Sequence, residues 1–273
     1  MSPINKALAR ASQQLADVSD TPRLDAELLL AAALGIGRDR LLLDPPPIAP
    51  AQFAAMLERR LAGEPVAYIT GHRGFWNIDL EVGPGVLIPR PDSETLIAAA
   101  VEHFAGTTGP KRILDLGTGP GTLLLAALDE WPRATGLGVD FSPNALEYAR
   151  RNATRLGLAD RAELRLGDWA DGVDEAFDLV LANPPYVARD AVLGAGVAEH
   201  EPREALFAGD DGLDAYRRLA PQLGRLIAQG GLAAIEIGHD QGESAADVLG
   251  QAGLFSRLAR DLAGRPRALL VAR

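Results

Sequence analysis

No cysteine occurs in the 273 residues. That absence removes disulfides, thiolate zinc sites and cysteine nucleophiles together, and with them any secreted disulfide scaffold. Histidine is scarce as well: His72, His103, His200 and His239 are scattered without metal-ligand spacing, so no metal is expected. The longest apolar run, residues 28–37, falls well short of the roughly 18 residues that a membrane span requires. Residues 1–20 mix polar and apolar side chains and lack the apolar stretch of a signal peptide, so the expected location is the cytoplasm, with no membrane partner. Basic charge is also short, and the formal net charge is -10. Affinity for nucleic acid draws on clustered Lys and Arg, so direct nucleic-acid binding is not expected.

What is present is an ordinary globular composition, 47% hydrophobic and 23% charged. Helical periodicity runs through residues 3–18, 21–34, 38–43, 50–61 and 64–70, which predicts a small N-terminal helical-bundle domain over 1–73. Thr21-Pro22 reads as a helix N-cap followed by proline at the first helical position. Residues 74–82 alternate apolar and polar side chains and stop at Gly83-Pro84-Gly85, which predicts a short β-hairpin linker over 74–88. Over 89–273 strand-like runs alternate with helical ones, predicting an α/β domain with a Rossmann-like sheet. Its seven strands fall at 112–116, 135–140, 162–166, 179–182, 232–237, 255–260 and 267–271, with helices beginning near Asp92, Pro120, Ser142, Leu213 and Gln241. The turn between the last two strands is too short for a helical crossover, so they pair antiparallel. Residues 1–74 carry 8 basic and 8 acidic side chains, so the whole charge excess belongs to the α/β part.

Gly117-Thr118-Gly119-Pro120-Gly121 follows the first of these strands and opens a helix, the position where open α/β sheets bind ligands. A dinucleotide fingerprint would place its third glycine at 122, which is threonine. Asp115, just before the loop, repels a pyrophosphate but suits an ammonium group. Asp140 ends the second strand, where a carboxylate accepts from both ribose hydroxyls or, alternatively, N-caps the next helix. Asp168, beside Trp169, is placed to accept from an exocyclic adenine amine, or is simply an acidic turn residue. Three carboxylates at the ends of consecutive strands line one sheet edge. An adenosine with a cationic amino-acid tail, S-adenosyl-L-methionine, fits that lining better than NAD.

The fourth strand runs into Asn183-Pro184-Pro185-Tyr186. Two prolines supply no N–H, so the loop presents carbonyl acceptors along a stiff path. An amide nitrogen is a poor nucleophile that reacts only when its lone pair is aimed. The Asn183 oxygen and the Pro184 carbonyl can each take one N–H while Tyr186 packs against the planar group, and no strong base is needed. The alternative is a proline-terminated strand with a buried tyrosine.

With Glu64 to Gly71, Phe75-Trp76, Leu87 to Glu94, Glu201 to Leu206 and Asp211 to Leu213, these motifs make the chain similar to the HemK/PrmC family. These are release-factor glutamine N5-methyltransferases of the class I S-adenosylmethionine-dependent type. The resemblance implies methylation of the glutamine in the Gly-Gly-Gln motif of class I peptide-chain release factors by a monomer, with S-adenosyl-L-homocysteine as product. It implies that the helical domain helps to grip the factor. Gly117, Thr118, Gly119, Pro120, Gly121, Asp140, Asp168, Trp169 and Asn183 would hold the cofactor, and Asn183, Pro184, Pro185 and Tyr186 the glutamine, with Asn183, Pro184 and Tyr186 as the catalytic set. Pro120 departs from the small or hydroxylated residue expected there. Arg90 and Glu94 either order the segment over the cofactor or form an i,i+4 surface pair. Rival substrates are a ribosomal-protein glutamine and adenine N6 in DNA; a non-catalytic binding module is the rival from another class. The acidic run Asp168, Asp171, Asp174, Glu175 and Asp178 predicts an acidic catalytic face.

Overall fold

The computed structural model describes residues 3–44, 46–194 and 196–273. Two compact units result: Met1–His72 with Leu193–Glu201, and Arg73–Val192 with Pro202–Arg273. The stretch 74–88, expected as a linker, therefore belongs to the second unit. Residues 193–201, expected within the α/β domain, group with the first.

The first unit holds α1 (Pro3–Gln14), α2 (Pro22–Leu34), α3 (Arg38–Leu43), α4 (Gln52–Leu61) and α5 (Val66–Thr70). Ile4, Leu8, Ala11 and Leu15 recur at three- and four-residue spacing, so one side of α1 is buried against Leu29, Leu30 and Phe53. Two carboxylates of α2 are buried with that core, and both are paired. Arg60 meets Asp25 at 2.8 Å, while Arg23 and Arg38 bracket Glu27 at 2.6 and 2.8 Å. Thr21 does not cap α2 as expected: its hydroxyl donates to Asp25 Oδ1 at 3.2 Å, and no backbone N–H reaches it.

A hairpin, β1 (His72–Phe75) and β2 (Ile78–Glu81), starts at the boundary and falls in the second unit from Arg73 on; the chain then runs α6 (Glu94–His103), β3 (Arg112–Leu116), α7 (Thr122–Glu130), β4 (Thr135–Asp140), α8 (Pro143–Arg155), β5 (Ala162–Leu166) and β6 (Phe177–Ala182). After α9 (Val197–His200), which groups with the first unit, come α10 (Asp214–Leu226), β7 (Ile227–Glu236), α11 (Gly242–Gln251), β8 (Arg257–Arg260) and β9 (Pro266–Ala272). Seven strands form one sheet in the order β5-β4-β3-β6-β7-β9-β8, parallel except that β9 runs antiparallel to both neighbours. The apolar residues of the inner strands β4, β3, β6, β7 and β9 are buried on both faces, as a helix-covered parallel sheet requires. Strand order reverses beside β3, whose parallel neighbours are β4 and β6, and open sheets bind ligands in the crevice at such a switch point.

The hairpin is fastened rather than free. Asn152 of α8, fully buried, accepts from Glu81 N at 2.7 Å and donates to the Glu81 and Pro120 carbonyls at 3.0 and 2.9 Å, clipping β2 to the glycine loop. Trp76 N donates to Glu94 Oε1 at 2.9 Å, which ties the hairpin turn to the start of α6.

Candidate active site

A cleft of about 950 Å³ opens on the carboxyl edge of the sheet at this switch point. Its floor is the glycine loop. Gly117 N and Thr118 N both donate to Val139 O, at 2.9 and 3.0 Å, so the loop folds back onto the end of β4. That path requires left-handed backbone at Gly117, Gly119 and Gly121 (φ 75°, 56° and 89°), which only glycine adopts freely. Gly121 is the N-cap position of α7, so the helix starts at Thr122 rather than near Pro120. Gly117, Thr118, Gly119 and Pro120 line the cleft. Gly121, among the expected cofactor residues, is absent from the wall and lies against Leu125.

Asp140 holds the loop in shape. Its Oδ2 accepts from Gly119 N and its Oδ1 from Ser142 N, each at 2.8 Å. The helix-cap alternative goes to Ser142, whose hydroxyl accepts from Ala145 N at 3.2 Å. Each carboxylate oxygen keeps a further lone pair, so Asp140 can still receive hydroxyl donors from the cleft. Asp115 is fully buried. Its Oδ2 accepts from Thr118 Oγ1 at 2.6 Å and Leu124 N at 3.1 Å, while Oδ1 has no partner among the described residues. Asp168 and Trp169 both line the cleft; Asp168 pairs with Arg218 of α10, and Trp169 takes a positive φ of 51° beside Gly117.

The Asn183 loop leaves β6 at the same edge. Asn183 and Pro185 line the cleft, and Asn183 Nδ2 donates to Ser93 Oγ at 3.1 Å. Pro184 is buried, and Tyr186 sends its hydroxyl inward to Glu236 Oε1 at 3.3 Å; neither belongs to the cleft wall, contrary to the direct contact role expected of them. Gln241 Nε2 donates to Tyr186 O at 2.9 Å and to Gly212 O at 3.3 Å. Gly212 has φ 74°, and a Cβ there would run into the Tyr186 carbonyl oxygen, so the Asp211-Gly212-Leu213 motif leaves space for the loop.

The acidic run does not form a catalytic face. Asp178 Oδ2 accepts from Lys111 N at 2.7 Å and Arg112 N at 3.0 Å, and Glu175 meets Arg112 at 3.6 Å, which puts both at the amino edge of the sheet. Of the five, Asp168 alone lines the cleft, and it is paired. Ser93, Phe141, Arg218 and Glu236 were not anticipated. Phe141 offers a half-exposed ring beside Asp140. Glu236 did leave a signal, since a carboxylate closing the apolar run Leu232-Ala-Ala-Ile235 is costly without partners.

Burial pushes the carboxyls of both Asp115 and Glu236 up to about 7. Thr118 and Leu124 offset part of this for Asp115, and Ser93 and Arg267 for Glu236. A raised carboxyl keeps in the folded state a proton that the unfolded chain releases near pH 4, so folding stability falls as pH rises through that interval. The thermal midpoint of the ligand-free protein is expected to be higher near about pH 5.5 than near about pH 8, and Asp115→Asn to lose about half of that slope. Melting curves across the range check this; an unchanged slope in the variant refutes the Asp115 share.

Residues 108–235 match a family model described as a methyltransferase domain, and residues 6–71 one described as the PrmC N-terminal domain. A solved methyltransferase from Pyrococcus furiosus has the same fold, with a TM-score of 0.55 at 17% identity over 80% of this chain and 98% of that one. Sheet, glycine loop and acidic edge together define an S-adenosylmethionine-dependent methyltransferase. The chain is 43% identical to the release factor glutamine methyltransferase of Caulobacter vibrioides, over 97% of its own length and 94% of that protein. It is 45% identical to that of Rhodospirillum rubrum, over 93% of its length and 80% of that protein. It belongs to the release factor glutamine methyltransferase family.

Proposed function

We infer that this enzyme methylates the side-chain amide nitrogen of the glutamine in the Gly-Gly-Gln motif of class I peptide-chain release factors. The observation that carries the reading is the orientation of Asn183. Its nitrogen is spent on Ser93, so its oxygen is left as an acceptor at the cleft wall, where an incoming amide needs one.

The residues present fit S-adenosyl-L-methionine. Asp115 Oδ1 is a buried acceptor awaiting a donor, which suits an ammonium group or a water that it holds. Asp140 has spare lone pairs for ribose hydroxyls, Asp168 an oxygen for an exocyclic amine, and Trp169 and Phe141 apolar surface for a ring. Bound there, the cofactor supplies an electrophilic methyl group. Asn183 Oδ1 accepts one N–H of the glutamine amide and so helps to aim its nitrogen lone pair. Fixing a nucleophile in this way contributes several kcal/mol, up to roughly 7–11 in the best-oriented systems. Tyr186 contributes by anchoring the loop through its hydroxyl, and no base is required because the nitrogen turns acidic only as it gains the methyl.

The helical unit is the part expected to grip the factor. The enzyme works in the cytoplasm as a monomer and without contact to nucleic acid. Among the described residues no helix is long and apolar enough to cross a membrane. Labelled methyl is expected to pass to a class I release factor and not to its Gly-Gly-Ala variant. Equal labelling of both, or preferential labelling of ribosomal proteins or DNA tested alongside, would overturn the reading.

A further inference from the structure

Behind the Asn183 loop lies a buried polar chain that the methyl transfer itself does not use. Ser93, almost fully buried just ahead of α6, accepts the Asn183 side-chain nitrogen at 3.1 Å. The same hydroxyl is among the hydrogen-bonding groups that hold the Glu236 carboxyl, at the end of β7, below where burial alone would put it. Glu236 has no exposed surface; its Oε1 takes the Tyr186 hydroxyl at 3.3 Å, and no hydrogen bond is closed onto Oε2 among the described residues. Burial and the Glu236 charge hold the Tyr186 phenol well above its ordinary range, so it stays protonated and acts as a donor.

A primary amide can face a hydroxyl with either end, and at Asn183 the choice decides whether the cleft meets an acceptor or a donor. A serine hydroxyl has one proton. If a carboxylate takes that proton, the hydroxyl can only accept from Asn183, and the amide must turn its nitrogen inward and its oxygen to the cleft. We propose that Ser93 and Glu236 are positioning residues that set the polarity of the Asn183 amide. Glu236 does so by acting as the acceptor at the end of the chain, and Tyr186 fixes that carboxylate while anchoring the far end of the same loop. The inference rests on the acceptor role assigned to Asn183 under the proposed function.

The test measures turnover, release-factor KM and cofactor affinity in the full chain with a class I release factor as substrate. Ser93→Ala is expected to lower kcat by about ten- to a hundredfold, because the amide is then free to turn either end to the cleft. Cofactor affinity should stay within about twofold, since the hydroxyl acts on the loop and not on the cofactor. Ser93→Thr keeps the hydroxyl and is expected to restore most of the turnover. Glu236→Leu should lower kcat comparably, and the double variant should be no worse than its weaker parent to within about twofold, as expected of two residues in one chain. A Ser93→Ala enzyme with kcat within about twofold of the parent overturns the proposal, as does a loss matched in cofactor affinity or left unrescued by threonine. Asn183→Ala run in parallel separates the two readings. If it is impaired while Ser93→Ala is not, only the positioning role falls; if it too turns over normally, the acceptor role of Asn183 falls first.

Discussion

Asn183→Ala is expected to cut turnover by about 10²- to 10³-fold, the size of effect seen when one preorganised polar group is removed from a reacting centre. The loss should appear in kcat at saturating cofactor, because the deleted oxygen orients the nitrogen nucleophile. The fold should survive. Asn183 is only partly buried, and its side-chain nitrogen donates to Ser93, whose hydroxyl can rotate to keep its other partner. Single-turnover labelling of a release factor together with a thermal melt checks both halves. A rate within about threefold of the parent would remove Asn183 from the reaction and return the loop to a proline-terminated strand end.

Asp140→Ala is expected to weaken cofactor affinity by about ten- to a hundredfold, with a smaller effect on kcat once the cofactor is saturating. Two causes act in one direction. The variant loses the acceptor offered to ribose hydroxyls, and it releases Gly119 N and Ser142 N, both held at 2.8 Å, so the floor of the cleft loosens as well. Asp140→Asn separates them: its one carbonyl oxygen keeps either the loop or the cofactor, and an intermediate loss is expected. Calorimetric titration of the cofactor into each variant gives the comparison. Unchanged affinity in Asp140→Ala would leave this carboxylate a purely structural part of the turn.

Much of the cleft was legible because its parts are local. The loop from Gly117 to Gly121 needs left-handed backbone at three alternate positions, and only glycine supplies that without strain, so the requirement is written in the residue types themselves. Asp140 closes an apolar strand, where a carboxylate has to be explained, Asp168 follows the next strand, and both line the cleft. Ser93 and Glu236 escaped for the opposite reason. Ser93 lies 90 residues from Asn183, and Glu236 lies 50 from Tyr186, so nothing in either neighbourhood reveals the partner. The acidic run misled through a neglect of strand length. At about 3.3 Å per residue, the five steps from Asp178 to Asn183 cover about 16 Å, and that distance puts Asp178 at the opposite edge of the sheet from the reaction.

The residues alone therefore determined the α/β class, the seven strands, the loop after β3 and the acceptor-rich segment after β6. Periodicity, glycine and proline act within a few residues and need no knowledge of the rest of the chain. Only the tertiary structure decided which end of the Asn183 amide faces the cleft, that the Tyr186 hydroxyl is turned inward, and that Gly121 supports α7 instead of lining the site. Those outcomes depend on hydrogen-bond partners delivered by the order β4-β3-β6-β7, and strand order is set by how the whole sheet buries its apolar faces.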